Sequence, residues 1–312
     1  MNLQDCFETH IKVSVCVVAY NQKEYLRKCL DSLVGQDLNC NYEIIVGDDA
    51  STDGTTDLVR EYAEKFPDLI VPVLHEKNLG PTKNYISVHA RAKGEYVCHM
   101  DGDDVAYPGK LQKQTDCLNG NKDYVLAWHK VDVFNDAGEV SKILHNQLNE
   151  IVNVDAITKT DFLKYGMLGA HSSTMYRRIA APDFKLIKGE VLDYFLIGLI
   201  LDFGHACRIE EVLGGYRLNA DKKTSSKNKS LYFNKSPIRQ LYCKHLTWFF
   251  LQDKRCRKSI FLNAIFNFLV DVRFLRPTSI DFLLLSFESF SLSGLLGIAK
   301  YYSEAMKLRG FS

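Results

Sequence analysis

The chain has 312 residues, 25% of them charged, and a formal net charge of +1, which argues against a chain-wide nucleic-acid surface. Its length exceeds one ordinary domain, so a main domain with an appended unit is expected. The 9 cysteines show no CxxC or zinc-like spacing and Met1 to His10 is polar, the pattern of a cytosolic protein with reduced thiols and no secretory signal.

The first predicted strand, Ile11 to Ala19, is almost continuously β-branched and suits a position covered on both faces. Tyr20 and Asn21 end it. From Gln22 to Val34 the residues Tyr25, Leu26, Cys29, Leu30 and Leu33 recur at helical spacing, with Lys23, Glu24, Arg27, Lys28 and Asp31 on the other face. A second strand, Tyr42 to Gly47, runs into the acidic turn Asp48-Asp49-Ala50-Ser51-Thr52-Asp53-Gly54-Thr55. There Ser51, Thr52 and Asp53 suit N-caps for a helix from Thr56 to Phe66. Asp49 can accept hydrogen bonds from a base imide or a ribose hydroxyl. The alternation continues with a strand from Ile70 to His75, a helix from Thr82 to Ala92 after Gly80-Pro81, and a strand from Glu95 to His99. An α/β fold, with a mostly parallel sheet sandwiched by helices, is the economical solution.

That last strand ends in Met100-Asp101-Gly102-Asp103-Asp104, where like charges crowd and a cation is needed to hold them. Carboxylates separated by one small residue present hard oxygen ligands to Mg²⁺ or Mn²⁺, Gly102 lets the chain turn, and a phosphate oxygen completes the shell. An isolated DGDD is also an ordinary surface turn. The second acidic turn tips the balance, because ligands bind at the carboxyl ends of strands in open α/β sheets.

The ordered set Val13–Asn21, Asp48–Thr55, Asn78-Leu79-Gly80, Gly94-Glu95-Tyr96 and Met100–Asp104 resembles glycosyltransferase family two, whose members are inverting sugar transferases of the GT-A, Rossmann-like fold. The resemblance is strong over 11–115 and looser over 116–217. It implies a GT-A catalytic domain at 11–217, with a nucleotide half (11–115) and an acceptor half (116–217), followed by a basic linker and amphipathic helical extension at 218–312. Val18-Ala19 stands where the family usually has Ile-Pro-Thr before Tyr-Asn. The resemblance further implies that Asp49 bonds the uracil ring, that Ala19 and Tyr20 line the nucleotide pocket, and that Asp103 and Asp104 are the metal and ribose carboxylates. Asp101 is then the added acid of the DxDD form, a metal-side residue of less fixed role. Mn²⁺ or Mg²⁺ would neutralise the departing diphosphate.

Inversion needs a general base, and Asp193 matches the family's acidic position at a helix start. Leu192 replaces the acid that often precedes it, which keeps Glu190 as a rival; a plain N-terminal cap is the structural alternative for such a carboxylate. Gly169–Arg178 resembles the strand lining the acceptor side, with His171 at the cavity, where a lone histidine is either a participant or a satisfied polar residue. Gly215-Tyr216-Arg217 resembles the family's terminal Tyr-Arg, which often precedes a segment over the diphosphate; Lys222, Lys223, Thr224, Ser225 and Ser226 either supply such contacts or form a solvated linker.

From Lys227 to Lys258 basic residues outnumber acidic ones, with Leu246, Trp248, Phe249, Phe250 and Leu251 among them. The apolar run Phe282 to Leu292 is broken by Glu288 and serines, which opposes a spanning helix. Such helices suit an anionic bilayer surface; a cap on the catalytic domain or a homodimer contact is the other reading. The expected partners are a UDP-sugar donor and a lipid-linked O-antigen or capsule saccharide, with no nucleic acid, at the cytoplasmic inner face of the cell membrane. Two other classes compete. Asp101-Gly102-Asp103 after a strand mimics a haloacid-dehalogenase-type phosphatase, although Val105 and the late position of that strand oppose it, and a non-catalytic GT-A binding or scaffold module would carry the same motifs. No GxGxxG follows the first strand, against a dehydrogenase.

Overall fold

In a computed structural model, which describes residues 11–144, 156–166, 169–218, 236–273 and 279–308, the chain divides into two units. The first holds Met1–His145, Gly169–Val191 and Leu199–Leu218, and the second holds Asn146–Leu168, Leu192–Gly198 and Asn219–Ser312.

The first unit is built on a sheet of β1 (Val13–Ala19), β2 (Tyr42–Asp48), β3 (Ile70–Leu74), β4 (Tyr96–Asp101), β5 (Val105–Ala106), β6 (Tyr124–Phe134), β7 (Val140–Leu144), β8 (Thr174–Arg177) and β9 (His205–Arg217). Their order is β3-β2-β1-β4-β8-β6-β9-β5, with β7 beside β6. Pairing is parallel from β3 to β4. It turns antiparallel where β8 sits between β4 and β6. Alternation of side chains across the strands divides the core. Val13, Val15, Val17, Ile44, Val46, Cys98 and Met100 pack with Leu26, Leu30 and Leu33 of helix α1 (Lys23–Val34), with Leu58 and Val59 of α2 (Thr55–Lys65), and with Leu111 and Leu118 of α4 (Lys110–Gly120). Full burial of each such aliphatic side chain contributes about 1.5–3 kcal/mol. Helix α3 (Pro81–His89) packs on the opposite face, where Tyr85 and His89 meet His99.

Helix α2 begins at Thr55 with Gly54 as its cap, φ +90°. The Asp53 carboxylate, expected as a cap, accepts the Thr55 N–H at 3.0 Å and the Lys23 N–H at 3.1 Å. Burial opposes its ionisation, but these bonds and one from the Thr55 hydroxyl outweigh burial and hold its carboxyl below the usual value. Cys117 of α4 and Cys207 of β9 are joined as a disulfide, a pairing that the reading of nine scattered thiols did not anticipate.

The second unit is helical. Lys159–Tyr165 starts with a capping box between Thr158 and Asp161, and the longer helices are Ser236–Gln252, Arg257–Arg273, Ser279–Glu288 and Ile298–Leu308. Residues 156–166 and 192–198, grouped with 11–217 in the sequence division, cluster here. The reason is visible in their bonds: Asn263 Nδ2 donates to the Leu163 carbonyl at 2.6 Å and the Tyr301 hydroxyl to the Lys164 carbonyl at 2.5 Å. Phe195 stacks on His245, and a Cβ at Gly198 would come within 2.3 Å of the Phe249 ring. Phe249 and Phe250 are therefore core residues rather than membrane-facing ones. Arg239, counted with the surface bases in sequence, is buried and paired with Asp271 at 2.6 Å. Lys222–Ser226 lie outside the described residues. No described helix is long and apolar enough to cross a membrane.

Candidate active site

Parallel register brings three strand ends to one edge of the sheet. Ala19 pairs with Asp48 and Val18 with Asp101, so the turns after β1, β2 and β4 emerge side by side. The Asp49 N–H donates to the Ala19 carbonyl at 3.1 Å and the Gly102 N–H to the Val18 carbonyl at 2.9 Å. Ala19 is buried and Tyr20 is 47% exposed. The turns are tied together, with the Asn21 N–H on Ser51 Oγ and the Thr52 N–H on Asn21 Oδ1, both at 2.8 Å. Asn21 and Ala50 hold left-handed backbone, φ 51° and 60°. Such strain persists only where surrounding bonds over-determine it.

Asp49 is buried, and its two oxygens accept the N–H groups of Leu79 at 2.7 Å and Gly80 at 3.0 Å. It thus anchors the loop before α3, while each oxygen keeps a second lone pair for a ligand. Glu190 reaches the same place: its Oε2 accepts the Thr82 hydroxyl at 2.8 Å, and its Oε1 lies 3.4 Å from where a Gly80 Cβ would stand.

The acidic run is graded by burial. The Asp101 side chain is 35% exposed and Asp103 is half-buried, whereas Asp104 is 1% exposed. Asp104 Oδ1 accepts the backbone N–H of Arg217 at 2.9 Å, and Arg217 Nε donates to the Asp103 carbonyl at 2.9 Å. The Arg217 guanidinium lies between the rings of Tyr25 and Phe134 and 3.5 Å from Asp136. Gly102 lies in the turn expected of it, without a left-handed backbone. Its need is close approach, since a Cβ there would stand 3.0 Å from the Val18 carbonyl.

Behind the run, Lys110 is fully buried, and its ammonium donates to the Ser172 carbonyl at 2.6 Å. Ser172 Oγ in turn accepts the Asp101 N–H at 3.0 Å. His171 stacks on His99 with ring centroids 3.9 Å apart. Sequence reading missed Lys110 and His99; a buried lysine leaves no periodic trace, but a histidine inside an apolar strand is a signal that was available. Asp193 is exposed in the first turn of the helix Asp193–Ile200 and belongs to the second unit. A surface depression lined by Glu95, Arg177, Arg178 and Ile179 lies at the other end of β4, where Lys12 and Arg177 pair with Glu95. It is remote from the acidic turns.

A sheet whose parallel half presents carboxylates at adjacent strand ends has the edge at which open α/β sheets bind ligands. Residues 14–182 match the model for "Glycosyl transferase family 2", and the chain belongs to that family. This placement leaves no role for the dehalogenase reading. An uncharacterized protein of Mycobacterium tuberculosis is 31% identical over 212 residues, 67% of this chain and 59% of that protein. The chain thus spans about three-fifths of that relative's length. Among solved structures, residues 1-349 of S. aureus TarS in complex with UDP-GlcNAc align with a TM-score of 0.62 and 17% identity over 96% of this chain and 81% of that TarS fragment. The mannosyltransferase PcManGT from Pyrobaculum calidifontis, in complex with GDP-Man and Mn²⁺, gives a TM-score of 0.56 and 18% identity over 97% and 84% of the two chains. Both likenesses concern the fold.

Proposed function

We propose that this chain is an inverting, metal-dependent glycosyltransferase that moves one hexose or N-acetylhexosamine from a UDP-sugar to an acceptor hydroxyl. The observation that carries this reading is the convergence of Tyr20, Asp49 and the Asp101–Asp104 run at neighbouring parallel strand ends. Asp49 reads the base, with Ala19 and Tyr20 beside it, and Asp103 meets the ribose or the metal.

The donor set fits a hard divalent ion. Among the described residues no three His, Cys, Asp or Glu side chains form a cage, and Mg²⁺-type ions need only one or two carboxylates when phosphate and water fill the remaining positions. Asp103 and Asp101 offer accessible oxygens, while buried Asp104, whose Oδ1 fixes the turn, adds the carboxylate charge that the ion needs. Bound there, Mn²⁺ or Mg²⁺ would neutralise charge on the leaving diphosphate.

Asp193 is assigned the base on its place in the sequence. It takes the proton of the acceptor hydroxyl as that oxygen bonds to the anomeric carbon and the sugar–phosphate bond breaks, releasing UDP. Glu190, engaged by Thr82, is better suited to positioning the 189–191 segment. The acceptor is proposed to be a lipid-linked saccharide of the O-antigen or capsule type, met at an anionic membrane face.

The test is a panel of UDP- and GDP-sugars assayed for nucleoside diphosphate release and thermal stabilisation, with and without EDTA. Selective, Mn²⁺-dependent response to a UDP-sugar is expected. Stabilisation without release would leave a binding module, and preference for a GDP-sugar would overturn the uridine assignment.

A further inference from the structure

A chain of buried side chains runs from the acidic turn into the core of the first unit. His99 Nε2 lies 3.3 Å from Asp101 Oδ1, His99 Nδ1 lies 3.0 Å from His89 Nε2, and His89 Nδ1 lies 2.9 Å from the Tyr176 hydroxyl. His89, His99 and Tyr176 are each at most 4% exposed. The strand pleat puts His99 and Asp101 on one face of β4, opposite Cys98 and Met100, which is why the imidazole can reach the carboxylate.

One assignment of hydrogens satisfies every link. A carboxylate only accepts, so His99 Nε2–H donates to Asp101. With neutral imidazoles its Nδ1 accepts from His89 Nε2–H, and His89 Nδ1 accepts from the Tyr176 hydroxyl. Stacking removes their remaining freedom: Tyr85 lies on His89 at 3.7 Å and His171 on His99 at 3.9 Å between centroids. The Asp101 backbone is separately held by Ser172.

We propose that His99 is a positioning residue for the donor site, and that the Tyr176–His89–His99 chain holds the Asp101 carboxylate in one orientation toward the divalent ion and diphosphate. The inference rests on the donor-site reading above. It differs from a satisfied core histidine in acting through Asp101 alone.

Two substitutions of similar polarity separate these roles. In His99→Gln the amide N–H still reaches Asp101; in His99→Asn the amide faces His89 but falls short of the carboxylate. Isothermal titration with UDP, in Mn²⁺ or in EDTA, reads binding without turnover. His99→Asn should weaken Mn²⁺-dependent UDP binding by about tenfold or more, the range for partners that orient a metal ligand, and leave binding in EDTA within about twofold. His99→Gln should stay within about threefold of wild type. On an Asp101→Asn background, His99→Asn should add less than about twofold, because the two changes remove one interaction. Wild-type affinity in His99→Asn, or a loss that adds fully to that of Asp101→Asn, overturns the proposal. If His99→Asn does not fold, Tyr176→Phe runs the same cycle, and a wild-type response there also overturns it. Wild-type UDP binding that ignores Mn²⁺ would sink the donor-site reading too, whereas metal-dependent binding with an additive cycle sinks only the role of His99.

Discussion

Asp104 and Arg217, 113 residues apart, are joined by a hydrogen bond from the Arg217 backbone N–H to Asp104 Oδ1 at 2.9 Å. The bond locks the end of β9 onto the acidic turn, and it separates two consequences of mutating Asp104. Asparagine keeps an acceptor oxygen, so Asp104→Asn should fold near normally yet lose Mn²⁺-dependent UDP binding and turnover. Alanine leaves a buried N–H without its acceptor, so Asp104→Ala should in addition lose about 1–3 kcal/mol of stability. Chemical denaturation and UDP titration of both variants check this. Full activity of Asp104→Asn would remove the residue from the site.

The base is tested by a pair. Asp193→Asn keeps size and polarity but not basicity, so kcat should fall by roughly 10² to 10⁴ with donor KM little changed. Glu190→Gln should lower kcat less, since its carboxylate already serves Thr82. A dead Glu190→Gln beside a normal Asp193→Asn would reverse the assignment.

These two cases also show what the sequence made legible. The β-branched runs and the 3.6-residue spacing located β1, α1, β2 and β4 to within a residue or two, because burial of one face dictates those patterns. Acidic turns at strand ends marked the candidate site, and parallel register sets those turns side by side. What stayed hidden depends on long-range contact. Lys110 beneath Ser172, Arg217 between Tyr25 and Phe134, and the insertion of β8 between β4 and β6 are set by tertiary packing. The misreading of Arg239, Phe249 and Phe250 as surface residues has a similar origin. A helix that packs on several sides buries residues all round, and its basic members are then hidden by partners distant in sequence.

The buried ion pair illustrates the cost of that arrangement. Arg239 and Asp271 are at most 1% exposed, and Arg239 also meets Asn267 Oδ1 at 3.2 Å. Removing one charge leaves the other buried alone, so Arg239→Met or Asp271→Leu should each destabilise by about 3–5 kcal/mol. The double variant should recover most of that loss, because apolar side chains of similar volume replace such pairs at little cost. Urea unfolding of the three variants measures it; additive losses would show that the two residues act independently.

His245 gives the second unit a pH response. Burial pushes its imidazole down to about 4 from 6.5, so the unfolded chain takes up a proton that the folded chain refuses. Stability is then complete above the unfolded value and falls as pH drops through 6.5 toward 4, by about 1.4 kcal/mol per pH unit. His245→Phe preserves the stack on Phe195 and removes the titration. Urea midpoints at pH 7.5 and pH 5 should therefore differ less in the variant than in wild type. Equal pH sensitivity in both would assign the response to other groups.

The membrane reading needs a different surface from the one expected, since Phe249 and Phe250 are interior. Ile280, Leu284 and Phe287 recur at i, i+4 and i+7 with 57–70% exposure, and Leu292 and Leu296 are 67% and 84% exposed. Phe261 contacts Phe290 and approaches Gly294. The exposed bases Arg257 and Lys258, with Lys254 and Arg255 just before them, open the helix that carries Phe261. Lys229 and Lys235 lie outside the described residues. An apolar face beside basic side chains suits an anionic surface, each charge contributing about 1 kcal/mol near the headgroups. The protein should co-sediment with anionic liposomes, less so with neutral ones, and less as salt rises, because screening acts over about 8 Å at physiological ionic strength. Phe287→Ser with Leu296→Ser should weaken binding without lowering the melting temperature, since both side chains are exposed. If the protein ignores anionic liposomes but runs as a dimer that these substitutions dissociate, the face is a contact between copies of the chain.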